Sequence, residues 1–137
     1  MRLILILLLS VTITGITLSG CDKEAEPTAR ISINETGSDL GGDVTGNGGS
    51  TSETYNWTNP EPTADWNMDI TAASGGTLQL QIRDADGNTV LNQSLSNSSA
   101  DDTKSGVTSS GTTGTWRITV SVTNFEGDGS FSISPGD

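Results

Sequence analysis

The chain has no histidine and a single cysteine, Cys21, among its 137 residues. Without histidine, the commonest general base, the Ser-His nucleophilic pair and the usual zinc sites are all excluded. One thiol can form no internal disulfide. Basic residues are scarce too, six Lys and Arg against 17 Asp and Glu, for a formal net charge of −11. Such a surface repels nucleic acid phosphates and anionic lipid headgroups, so nucleic acid is not an expected partner. Beyond the N-terminus no window shows the 3.6-residue apolar period of a helix. No glycine-rich phosphate loop links a strand to a helix, which leaves nucleotide binding without support. Acid pairs arise by chance in a chain this acidic, so no catalytic residue is assigned and the protein is not expected to be an enzyme.

What is present begins with an export signal. Arg2 supplies a minimal positive region, Leu3-Ile4-Leu5-Ile6-Leu7-Leu8-Leu9 an apolar run, and Ser19-Gly20 small residues before a processing point. The stretch from Leu3 to Leu18 is short of the roughly 20 apolar residues a spanning helix needs, and Ser, Thr and Gly interrupt it. The tetrapeptide Leu18-Ser19-Gly20-Cys21 resembles the lipobox of bacterial lipoproteins. That resemblance implies cleavage before Cys21, a thioether-linked diacylglyceryl group on its sulfur and acylation, such as palmitate, of the new amine. Two or three acyl chains hold a protein durably at a bilayer where one does not. The expected location is therefore the bacterial cell envelope, with the membrane as a partner through the lipid on Cys21. Asp22 after the cysteine resembles the inner-membrane retention signal of enterobacterial lipoproteins. Lys23 among acidic neighbours resembles the surface-export signal of Bacteroidota lipoproteins, and the outer membrane or cell surface is the favoured address.

This divides the chain into a signal peptide, 1–20, a lipidated polar tether, 21–53, and a domain, 54–137. Residues 34–53 are dominated by Gly, Ser, Thr, Asn and Asp and read as a flexible stalk or loosely paired loops. Within the tether, Arg30 to Asn34 alternates and forms a candidate short strand. After Glu53 the pattern changes. Tyr55 and Trp57 share a face, and Trp66, Met68 and Ile70 alternate with polar residues beyond a Pro-containing loop. Leu78, Leu80 and Ile82 alternate in turn, an Asp-Gly turn spans Asp84 to Asn88, and Thr89 to Leu95 returns as its hairpin partner. A weak strand follows near Ser105 to Thr108. The last hairpin places Trp116, Ile118, Val120 and Val122 on one face, turns at Glu126 to Gly129, and closes with Phe131 and Ile133.

The expected fold is all-β, a small antiparallel β-sandwich of about 6–8 strands. Its core of about fifteen large apolar side chains is small enough that bound ions or a partner could add stability. The pattern of Trp66 onward, with Gly75-Gly76, Thr77 to Ile82, Gly114 to Val120 and Gly127 to Ile133, resembles the pre-peptidase C-terminal and related jelly-roll accessory domains of secreted bacterial proteins. The resemblance implies a non-catalytic accessory or binding module and carries over no ligand residue.

Two sets of residues are candidates for chemistry. Asp84, Asp86 and Asn88 place oxygen ligands at alternate positions, as Ca²⁺ loops do, and another acidic turn (Glu126 with Asp128, or Asp101 with Asp102) could complete a site. The EF-hand pattern fails, because Thr89 and Leu95 stand where Gly and Glu are required. The competing reading is a plain hairpin turn. Tyr55, Trp57 and Trp66 could form an aromatic platform for sugar rings, or could be core. These sets give two expected functions: a lipid-anchored, non-catalytic surface or accessory protein, or a calcium-stabilised carbohydrate-binding or adhesion module. A polysaccharide or an envelope protein is the expected partner.

Overall fold

A computed structural model describes residues 24–96 and 102–137. The signal peptide, Cys21, Lys23 and Asp101 lie outside the described residues. Six strands form one antiparallel sheet: β1 (Ala29–Glu35), β2 (Leu40–Asn59), β3 (Ala64–Arg83), β4 (Thr89–Ser96), β5 (Thr103–Val107) and β6 (Gly114–Pro135). The order is β1-β2-β6-β3-β4, with β5 also on β3. The all-β expectation holds, and the described residues contain no helix.

Three of these strands are too long to be straight. A 20-residue strand extends over roughly 65 Å at about 3.3 Å per residue, yet the Trp57 Nε1–H near the end of β2 donates to the Ser38 carbonyl just before its start, at 2.9 Å. The strand must double back on itself. The pairing register breaks at Gly49 in β2, and between Thr71 and Thr77 in β3, beside Asn124 of β6. The three bends therefore lie side by side. The sheet folds there into two layers: β1, 40–47, 126–135, 64–71 and β5 in the first, and 51–59, 114–123, 77–83 and β4 in the second.

Backbone conformation makes the fold line. Gly76 has φ +85°, and a Cβ there would lie 2.3 Å from the Asn124 carbonyl oxygen. Asn124 itself has φ 45°, a left-handed value that Asn tolerates. Phe125, fully buried, sits beside the bend. Between the layers pack Val44, Met68, Phe131 and Ile133 of the first and Leu78, Leu80, Trp116, Ile118 and Val120 of the second.

Two expectations are corrected. The polar stretch 34–53 is not a stalk, because β2 pairs with β6 from Leu40 to Asn59 and with β1 from Gly41 to Gly46, with Leu40 and Val44 buried. Its glycines mark close approach rather than flexibility. At Gly49 a Cβ would lie 2.2 Å from the Thr28 carbonyl carbon. Likewise Glu126 to Gly129 is no hairpin turn, since β6 runs through it to Pro135. What looked like a turn at Glu126 to Gly129 belongs to a strand that crosses the fold line.

Candidate functional site

The folded sheet has two unlike ends. The fold line and the start of β1 form one pole, where the chain arrives from Cys21 through residues 24–28. The segments 36–39, 60–63, 84–88 and 108–113 and the C-terminus gather at the other. These segments have no ladder partners; isolated backbone bonds, such as Ala85 N–H to the Thr112 carbonyl and Gly111 N–H to the Pro62 carbonyl, and side chains tie them down together. Among the described residues three polar side chains are buried, Asn59, Asp84 and Thr108, and all three contribute such bonds at this loop pole.

Asp84 follows the last residue of β3. Its Oδ1 accepts the backbone N–H groups of Asp86 (3.1 Å) and Asn88 (2.7 Å). Its Oδ2 accepts the Asn88 amide (3.2 Å) and the Thr112 N–H (3.0 Å). The Thr112 N–H does most to hold this carboxyl below the ordinary carboxylate range, with Asn88 and Asp86 adding to it and burial opposing. Asn59 donates its amide to the Thr63 carbonyl (2.9 Å) and accepts the Glu61 N–H (3.1 Å). Thr108 Oγ1 accepts the Ala64 N–H at 3.0 Å. Thr112 completes the network, taking the Trp116 Nε1–H on its carbonyl (2.7 Å) and donating its hydroxyl to Asp86 Oδ2 (2.7 Å).

The structure thus brings Asp84, Asp86 and Asn88 together, as a hydrogen-bonded hairpin turn. A carboxylate has about four lone-pair positions, and four N–H donors occupy those of Asp84. This set does not fit a hard cation, which needs free oxygens converging on one point. Glu126, Asp128 and Asp102 lie at the fold-line pole and do not complete it. Among the described residues no group of three or more His, Cys, Asp or Glu could hold a metal ion.

Tyr55, Trp57 and Trp66 do not form a platform. Trp57 and Trp66 are buried, at 3% and 8% exposure, in different layers. Trp57 meets Trp116 edge to face, ring centroids 6.1 Å apart. Trp66 lies across from Gly106 with its Nε1–H buried and unpartnered among the described residues. Tyr55 packs half-buried against the core, where desolvation and then the Glu53 carboxylate push its hydroxyl pKa up.

The surface with chemical character is one that sequence reading missed. Along the outer face of the second layer, cross-strand partners form three polar rows: Asn56, Arg117, Arg83, Thr89; then Thr54, Thr119, Gln81, Asn92; then Ser52, Ser121, Gln79, Ser94. Hydrogen bonds lock part of this carpet: Ser52 to Ser121 at 2.7 Å, Thr54 to Thr119 at 3.0 Å and Gln79 to Asn92 at 2.9 Å. At the loop end the face deepens into a recess of about 480 Å³ between Asn56, Arg83, Thr115 and Arg117 and the 84–87 turn. Alternation of polar residues was visible in each strand; their alignment into rows depends on the β3–β6 and β2–β6 pairings, which join residues 34 to 69 positions apart.

No protein-family model matches this chain, and no curated protein does. Among solved structures it is similar to TmCBM61 in complex with β-1,4-galactotriose, at 17% identity and a TM-score of 0.46, over 79% of this chain and 88% of that one. It is also similar to a chain described among promiscuous carbohydrate-binding modules of the β-sandwich superfamily, at 14% identity and a TM-score of 0.42. That match covers 80% of this chain and 52% of the other.

Proposed function

We propose that this protein is a lipid-anchored, non-catalytic accessory protein of a bacterial cell envelope whose domain binds polysaccharide on the outer face of the second layer. The observation that carries this reading is the set of three polar rows. They present hydroxyl, amide and guanidinium groups on rigid paired strands, with no large apolar side chain among them. Sugars offer many hydroxyl groups, each both donor and acceptor, and a fixed array of short polar side chains can bond several at once. The face runs toward the loop pole, away from the end where the tether enters. Lipidation at Cys21, drawn from the lipobox resemblance, would therefore leave the loop end turned outward.

Two measurements test the two halves. Labelled palmitate should enter the full-length protein in a bacterial host and be lost in Cys21→Ser, which should also leave the membrane fraction. The detergent-solubilised lipoprotein should be retarded in affinity electrophoresis by at least one polysaccharide of a panel containing neutral and acidic polymers. Migration unchanged across the whole panel rules the binding reading out.

A further inference from the structure

Arg83 and Arg117 stand directly opposite each other in the β3–β6 ladder. Directly opposite residues of an antiparallel pair have Cβ atoms about 5 Å apart, and like charges placed so are destabilising. This chain has carboxylates in excess, 17 acidic residues to six basic, yet among the described residues neither guanidinium has a hydrogen-bond or ion-pair partner. Both are exposed and both line the recess at the loop end of the polar face. The sheet therefore holds two guanidinium groups side by side, with no direct ion-pair partner among the described residues, in a recess whose hairpin side carries the carboxylates of Asp84 and Asp86.

From this arrangement we infer that Arg83 and Arg117 form an anion subsite, and that the ligand of this face is an acidic polysaccharide bearing carboxylate or sulfate groups. The inference rests on the polysaccharide-binding reading and names its substrate class. A guanidinium offers a planar fork that matches a carboxylate or sulfate edge in two parallel hydrogen bonds. Two forks side by side suit one anionic group held between them, or successive groups along a polymer. Asn56 and Thr115 flank the pair with groups able to bond the neighbouring sugar hydroxyls, and Asp86 bounds the recess on the hairpin side. An acidic protein surface is the less suitable occupant, because protein interfaces centre on buried apolar or aromatic anchors. The one large hydrophobic side chain exposed among the described residues, Val107, is on β5, in the other layer.

The test uses the detergent-solubilised full-length lipoprotein and three immobilised polymers: polygalacturonate, its fully methyl-esterified form and dextran sulfate, with polyglutamate as a peptide control. Retention on polygalacturonate or dextran sulfate should exceed that on the ester at least tenfold and should weaken with added NaCl. The stronger of the two names the anionic group. Arg83→Gln and Arg117→Gln should each lower retention about tenfold, and the double variant should abolish it. Melting temperature should stay level or rise, since the substitutions relieve a like-charge pair; a structural role would lower it. Arg30→Gln, at the fold-line pole, should change nothing. Equal retention on the acidic and esterified polymers, untouched by the arginine substitutions, overturns the anion subsite and leaves polysaccharide binding standing. Retention on none of the polysaccharides overturns both, and equal retention on polyglutamate overturns the assignment to a glycan.

Discussion

The two poles of this sandwich are built by different physics. At the fold line, three long strands turn together, and conformation leads: Gly76 at φ +85°, Asn124 at φ 45°, close contact at Gly49, and Phe125 buried beside them, with exposed side-chain bonds such as Asn124 N–H to Ser50 Oγ in support. At the loop pole, segments without ladder partners are tied by isolated backbone bonds and by the buried polar side chains of Asn59, Asp84 and Thr108. Backbone shape cannot be titrated or exchanged for another residue; a polar clamp can. The fold-line pole receives the tether, and the loop pole, with the buried Asp84 carboxylate, is the end whose stability responds to pH.

The sharpest way to break that contrast is at Gly76. Substitution to Val demands a left-handed conformation of a β-branched residue and drives a Cβ to within 2.3 Å of a carbonyl oxygen. Strain and overpacking together should cost about 3–5 kcal/mol, approaching the whole stability of a small domain. The expected result is loss of the β-sheet circular dichroism signal or a large fall in the urea midpoint, equal at pH 4 and pH 7.

Next in size is Asp84→Asn, and here pH should matter. The folded carboxyl has a lowered pKa, so its contribution is fully present above the unfolded value, about 3.9, and is lost as pH falls through the folded value. At pH 7 the variant should melt roughly 5–10 °C lower, because an amide nitrogen replaces an acceptor that faces N–H donors. Below about pH 4 the gap between wild type and variant should close progressively. A gap that stays constant down to pH 2 would show that the charge on Asp84 is not what clamps the loops.

This contrast also explains how much of the fold could be read from residues alone. Trp66, Met68 and Ile70, Leu78 to Ile82 and Trp116 to Val122 announce themselves because period-two burial is written in side chains. The Asp84 hairpin does so through its Asp-Gly turn. The first half of β2 does not, since its close contacts require glycines and leave only Leu40 and Val44 as large apolar residues. Nor does the continuity of β3 and β6, because the residues that let a strand bend are the ones that make turns. The aromatic trio failed as a site for a related reason: alternation places a residue on a face but does not say which face is covered. Arg83 and Arg117 are 34 positions apart, and only the β3–β6 register makes them neighbours.

A finer distinction lies among the buried tryptophans. The Nε1–H of Trp57 donates to the Ser38 carbonyl and so ties the 36–39 segment to the end of β2, and its ring meets Trp116. The Nε1–H of Trp66 has no partner among the described residues. Trp57→Phe should remove a hydrogen bond, leave a carbonyl unpaired and weaken the ring contact, costing about 2–3 kcal/mol. Trp66→Phe loses packing area but also removes an unsatisfied buried donor, and these oppose each other to leave a net change within about 1 kcal/mol. Urea midpoints of the two variants at pH 7 make the comparison. Equal losses would mean that the Trp66 N–H is bonded, through water or a segment outside the described residues. A larger loss at Trp57 places the difference in the Ser38 bond, and hence in the polar clamping that sets the loop pole apart from the fold line.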